Sequence, residues 1–512
     1  MNKIYTIGIL LSCLLLASCA DSFLDLSPES QSNEKTFYKT EGDFDRALSG
    51  VYEKLRPTHD WPGFMMGESR SDNTHYTYSS AVSHSIKPED IVDFIDDSQN
   101  PITNNMYLHT YDAIARANTL LGHIQDKSFS ESYMNKTIGQ TKFLRAYNYF
   151  MLVQYFGAVS LHLDQVKNTD DAFLSQSSVE EVYEQIIKDA TEAVNKLGVV
   201  AFSADKASGR ATKGSAHMLL ANVLMTKPNR DYVEAEKHLR EIINMGYELL
   251  PNYADVFNPT YKNSRESLFE VQYQEGNLGQ QSNWLYRFMP KTPLGIAVTG
   301  VENTNTQTWG GYNVPTQSLI DSYEPADKRI NASIAVVVGE NRASDNAFIA
   351  DKVLNVGDPQ ISTYSVSYYM INKYRHAHAK LNNTDDNWPI YRYSDVLLLL
   401  SECLVEQGRS AEAATYVNQV RQRAGLDELT QINADIVAKE RRLELAFENH
   451  RWADLIRTGK AIEVMTEHGK RMKAIYPYLQ ERTYQVTNDK LLFPIPYREL
   501  QINTELKQNK GY

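Results

Sequence analysis

The sequence predicts a mainly α-helical protein, in which a tetratricopeptide-like scaffold of four helix pairs packs against a loop-rich, irregular ligand-binding lobe. Three observations carry this. Apolar residues recur three or four apart in well-separated segments, and two of those segments look like copies of one helix-turn-helix unit. The long stretches between them lose helical period and gain Asn, Asp, Gly, Ser, Pro and Tyr. At 512 residues the chain can bury a large core.

The apolar run Ile4 to Ala17 follows Lys3 and is shorter than the roughly 17 to 25 residues a spanning helix needs, which is the layout of a signal peptide. Leu16-Ala17-Ser18-Cys19 also matches the bacterial lipobox, so residues 1–18 are expected to be cleaved and Cys19 acylated. Residues 19–39 then form a lipidated tether and residues 40–512 one domain. Phe44, Ala47, Leu48, Val51 and Leu55 fall on one helical stripe, and Tyr107, Tyr111, Ile114, Asn118 and Leu121 on another. In "TKFLRAYNYFMLVQYFG" a broad apolar face ends at Gly157, and its partner starts where Ser178 and Glu181 have capping-box spacing. The two copied units begin at Ser215 and Ser394; in the second, Ser401 and Ala413 have the separation of small residues at a tetratricopeptide helix crossing. The expected pairs are Phe44–Ile124, Asn135–Leu197, Thr212–Gly246 and Tyr393–Ala424. Two insertions, near 57–103 and 250–390, separate them, and loops so long and rich in Trp and Tyr point to binding.

Composition narrows the function. The net charge of −12, to which the signal segment contributes only Lys3 as a charged side chain, disfavours nucleic-acid binding. Of three cysteines, Cys13 leaves with the signal and Cys19 carries lipid. Cys403 then sits alone on an apolar helix face, so no internal disulfide supports the fold. Tyr outnumbers Phe 32 to 17, which suits surfaces apolar on one side and hydrogen-bonding on the other.

An ordered series of strings resembles the SusD/RagB family of outer-membrane nutrient-binding lipoproteins nearly end to end. After the lipobox come "FLDLSPES", "GDFDRALSGVYEKLR", "YDAIARANTLL" and "GQTKFLRAYNYFMLVQYFGAVSL". Then follow "GRATKGSAHMLLANV", "WGGYNVPTQSLIDSYEPADKR", "YRYSDVLLLLSECLVEQG", "ERRLELAFENHRWADLIRTG" and "LLFPIPYRELQINTELKQNKGY". "GAVSLHL" departs from the commoner Gly-Gly-Val-Pro, and Ser401 and Cys403 stand where alanines are usual. The resemblance implies a surface protein that binds an oligosaccharide, or in some members a peptide. It implies delivery to a SusC-like TonB-dependent transporter, over which the protein acts as a hinged lid at the outer membrane, held by its N-terminal lipid.

Sugar rings stack their apolar faces on indoles and phenols while their hydroxyls meet amides, carboxylates and guanidinium. The candidate ligand residues are therefore Trp61, Tyr76 and Tyr78 with Arg70, Asp72 and Asn73 in the first insertion, and Trp284, Tyr286, Trp309 and Tyr312 in the second. Trp388 and Trp452 border apolar stripes and belong to the core. Glu440, Glu444 and Glu448 recur every four residues, but neighbouring Arg441, Arg442 and Arg451 make a salt-bridge lattice a better reading than a glycosidase pair. No nucleophile elbow or zinc helix occurs, so no enzyme activity and no cofactor are expected. His376 and His378 lack a third metal ligand. Asp385 and Asp386 in "NNTDDNW" are candidate calcium ligands without the spacing of a dedicated loop.

Overall fold

A computed structural model describes residues 37–79, 87–199, 209–302 and 310–512. Cys19, the signal segment and Trp309 lie outside these residues. The scaffold comprises α1 (Glu41–Glu53), α2 (Pro101–Ile124), α3 (Glu131–Phe156), α4 (Val179–Lys196), α5 (Lys213–Thr226), α6 (Tyr232–Ile243), α7 (Tyr393–Glu406) and α8 (Ser410–Ala424). Successive helices pack on one another from α1 through α8, so the pairs form a continuous array although the chain leaves it twice.

Local chemistry sets several ends. Ser178 and Glu181 cap α4 reciprocally, as their spacing predicts, and Thr40 and Asp43 do the same for α1. Gly157 closes α3 at φ 72°, its N–H bonding to Val153 O at 3.0 Å. The Ser401 hydroxyl reaches Ala413 O at 3.2 Å where α7 crosses α8, which explains why only a small side chain serves there. Cys403, Trp388 and Trp452 are buried, as expected of core residues.

The insertions are more ordered than their composition suggests. Antiparallel β2 (Ser267–Val271) and β7 (Trp388–Arg392) join the ends of the long insertion, and β4 (Ile334–Asn341), β5 (Phe348–Asn355) and β6 (Val366–Ile371) form a sheet in the order β5-β4-β6. The β4 run IAVVV is buried on both faces, so it shows no alternation to betray a half-buried strand. In the first insertion, short helices and a π-turn over Met65–Ser69 lead to β1 (Thr74–His75), which pairs with β3 (Val314–Pro315) from the second.

After α8 come α9 (Ala434–Glu444) and α10 (Arg451–Arg457). The expected carboxylate lattice exists, but with different partners. Glu444 and Glu448 meet Arg392 at 2.9 and 2.7 Å, Glu440 meets Arg329 at 2.6 Å, and Lys373 meets Glu448 at 2.7 Å, all buried. Arg441 instead pairs with Asp395 and Asp454, while Arg442 and Arg451 turn to Asp72. The arginines around Glu444 hold its carboxyl well below the usual range against the opposing effect of burial, so it carries no proton to donate. These pairs join the two insertions to the segment from α9 to α10, and Arg441 ties that segment to α7 through Asp395.

Candidate functional site

The β1–β3 ladder, Thr74 opposite Pro315 and His75 opposite Val314, brings the two aromatic insertions side by side. Just beyond it, Thr77 N–H donates to Gly311 O at 2.7 Å, and Lys291 Nζ donates to Thr77 O at 3.1 Å. Tyr78 and Tyr312 therefore leave the same rigid seam. On one side Trp61 meets Tyr312 edge-on at 4.6 Å, and the Arg287 guanidinium lies over the Trp61 ring at 4.5 Å. Asp60 stands 3.5 Å from Arg287, and Lys291 is 5.9 Å from the Tyr312 ring. Partial burial lowers the proton affinity of Arg287 and Lys291, against the pull of Asp60 on Arg287 and of Glu89 on Lys291.

On the other side Tyr78, 40% exposed, stacks flat on Tyr478 at 4.0 Å, and Tyr478 adjoins Tyr476 at 5.4 Å. His75 fixes this wall from beneath: it stacks on Tyr476 at 4.8 Å and hydrogen-bonds the hydroxyls of Tyr478 and Tyr484 at 2.8 and 3.2 Å. Burial keeps that imidazole neutral, so one ring nitrogen donates and the other accepts. Trp61, Tyr312, Tyr476 and Tyr478 are half-buried, with their bodies packed and part of each side chain open to solvent. The result is an aromatic shelf with two cations beside it.

Other residues singled out in the sequence are placed differently, and the binding assignment is corrected for them. Arg70 is fully buried, paired with Asp96 at 2.6 Å and held against Phe94 and Phe493 at 4.1 and 4.4 Å. Asp72 is buried between Arg442 and Arg451 at 2.9 and 2.8 Å. Asn73 donates to Glu68 at 2.8 Å and accepts from Arg442 at 2.8 Å, while Tyr76 donates to Asp93 at 2.8 Å. Glu68, its pKa pushed up to about 7 by burial, also accepts the N–H groups of Phe447 and Asn449, both at φ 68°. Trp284 packs on Trp388 at 4.8 Å, and Tyr286 bonds His378 at 2.6 Å; both are buried. Buried in the interior, these residues support the shelf instead of presenting a face to ligand.

The calcium assignment is corrected as well. Asp385 pairs with Lys262 at 2.7 Å and Asp386 with His376 at 2.5 Å, so the two carboxylates serve different partners. Among the described residues, no group of three or more His, Cys, Asp or Glu is placed to share a metal ion.

Two family models match the chain: the SusD family over residues 265–512, and "Starch-binding associating with outer membrane" over residues 22–225. The chain belongs to the SusD/RagB family. Among relatives of this SusD-family protein, SusD-like protein P38 of Formosa agariphila is 28% identical and spans all of this chain and 99% of its own. A structure described as a laminarin binding SusD-like protein superposes with a TM-score of 0.72 at 26% identity, covering 93% of this chain and all of its own. Surface glycan-binding protein A from Bacteroides thetaiotaomicron, solved with laminarihexaose, shares the fold at a TM-score of 0.70 and 22% identity, covering 92% of this chain and all of its own.

Sequence reasoning missed Tyr476, Tyr478, Lys291 and Arg287 as parts of the shelf. The string "YPYLQ" at 476–480 does carry a signal, since a proline between two tyrosines displays both on an irregular turn. Its distance in sequence from Tyr78 hid the stack. The shelf offers flat apolar faces, phenolic hydroxyls and cationic donors, a combination suited to holding a polyhydroxylated ring without reacting with it.

Proposed function

We propose that the protein captures oligosaccharide on the shelf formed by Trp61, Tyr312, Tyr78 and Tyr478, with Arg287 and Lys291 donating to sugar hydroxyls. It then passes the glycan to a SusC-like TonB-dependent transporter as the transporter's hinged lid. Cys19 carries the lipid that holds the protein at the outer membrane, facing the cell exterior. The observation that carries the reading is the open Tyr78–Tyr478 stack on a seam shared with the Trp61–Tyr312 pair, which is exposed aromatic surface held rigid from below. Binding is reversible capture without catalysis, because Glu440 and Glu444 of α9 and Glu448 in the turn after it are buried in ion pairs. The relative described as laminarin-binding supports a glycan ligand and makes β-glucan the first to try.

Calorimetry and affinity electrophoresis across a polysaccharide panel that includes laminarin test this. Trp61→Ala and Tyr78→Ala should each weaken binding by about 1–2 kcal/mol, five- to thirtyfold, with the fold intact. Wild-type affinity in both variants would remove the shelf from the reading. Saturable binding of peptides alone would turn it toward a peptide-uptake protein. Transporter association without any ligand affinity would leave a structural lid.

A further inference from the structure

We infer that a second surface, an apolar groove on the outer side of α2, is the docking site for this chain's own segment Ser22–Pro28, "SFLDLSP". The groove, about 240 Å³, runs between α2 at Tyr111 and Ile114, the turn carrying Val166 and Phe173, and the C-terminal stretch at Ile502 and Leu506. It is separate from the shelf. Three of its polar side chains are already spent: Tyr111 donates to Ser160 O at 2.9 Å, Asn118 to His162 O at 2.8 Å and Asn503 to Leu174 O at 2.9 Å. Apart from His162, Asp164 and Glu499 the rest of the lining is mainly apolar, and Val166, Phe173 and Ile502 stand 45%, 42% and 52% exposed around it. Such a clustered apolar rim is the mark of a surface that something covers.

Chain length and composition select the occupant. The described chain begins at Phe37, and Tyr38 stacks on His123, at the end of α2, at 4.3 Å. From there to Ile114 is roughly 14 Å along the helix, whereas the ten residues between Leu26 and Phe37 reach roughly 36 Å. The segment offers Phe23, Leu24 and Leu26, and the family match starts at residue 22, so this string belongs to the domain pattern. Seating Phe23 also places Cys19 within roughly 14 Å of the groove. On the lipidation proposed above, the groove face then turns toward the bilayer, and docking sets the orientation of the whole protein.

The test uses the chain from residue 19 with Cys19→Ala, which leaves only buried Cys403 as a thiol. Leu24→Cys combined with Ile502→Cys should form an intramolecular disulfide under mild oxidation, at least roughly tenfold faster than Leu24→Cys combined with Leu278→Cys at a remote exposed site. Replacing Phe23, Leu24 and Leu26 together by Ser should speed amide exchange across 159–174 and 497–506 several-fold while leaving glycan affinity at the shelf unchanged. Equal cross-linking in the two pairs with unaltered exchange would overturn the proposal. Protection that appears only at high protein concentration, or only on adding the transporter, would overturn it in favour of a second copy or the barrel.

Discussion

Arg70→Ala separates support of the shelf from contact with ligand. The guanidinium is fully buried, meets a fully buried Asp96 at 2.6 Å and donates to the carbonyls of Ile91 and Lys490 at 3.0 Å each. Truncation strands Asp96 without its counter-charge, and breaking one partner out of a buried pair costs about 3–5 kcal/mol. Unfolding entropy scales at about 2.1 cal/mol/K per residue, so for a chain this long each kcal/mol moves Tm by about 1 °C and the expected fall is about 3–5 °C. Scanning calorimetry reads that fall, and titration with glycan on the folded variant should give wild-type affinity. Arg70→Met with Asp96→Leu should recover most of the lost stability, because no buried charge is then left unpaired. A Tm within a degree of wild type together with a tenfold loss of glycan affinity would refute the placement of Arg70 beneath the site.

Gly310→Ala should damage the shelf more than its size suggests: Gly310 adopts φ +95°, and a Cβ there would collide with the Met289 carbonyl oxygen, so glycan affinity should fall along with thermal stability. A pH series tests the buried imidazole of His59, which burial pushes down to about 3. The unfolded chain binds a proton near pH 6.5 that the folded chain refuses, so stability is full above that pH and falls as pH drops toward 3. His59→Gln should lose about 1 kcal/mol less than wild type between pH 7 and 5.5, read from urea midpoints at each pH. Cys19→Ala should release the protein from the membrane fraction while its melting curve and glycan affinity stay unchanged. Retention without acylation would make the barrel the anchor.

Much of the fold was legible because helical burial leaves a local mark. Phe44, Leu48 and Val51, or the Ser178–Glu181 box, announce themselves within a few residues, and the four helix pairs follow. The strands were not legible. β4 is an uninterrupted apolar run, and β1 and β3 are two residues long and pair across more than two hundred residues of chain, so no local period reports them. Among the candidate site residues, Trp61, Tyr78 and Tyr312 keep open surface, whereas Arg70, Asp72, Asn73, Tyr76, Trp284 and Tyr286 are interior. An arginine or tyrosine in a polar stretch reads the same in sequence whether it meets solvent or a buried carboxylate.

The helix stripes, the Ser178–Glu181 cap, the Gly157 stop and the family were legible in residue order, because each rests on patterns a few residues long. Only the tertiary structure decided which aromatics remain open. That choice depends on partners far away in the chain: Asp96 for Arg70, Arg451 for Asp72, Tyr478 for Tyr78. Charge pairing and ring stacking act over a few ångströms of space and leave no trace in residue order.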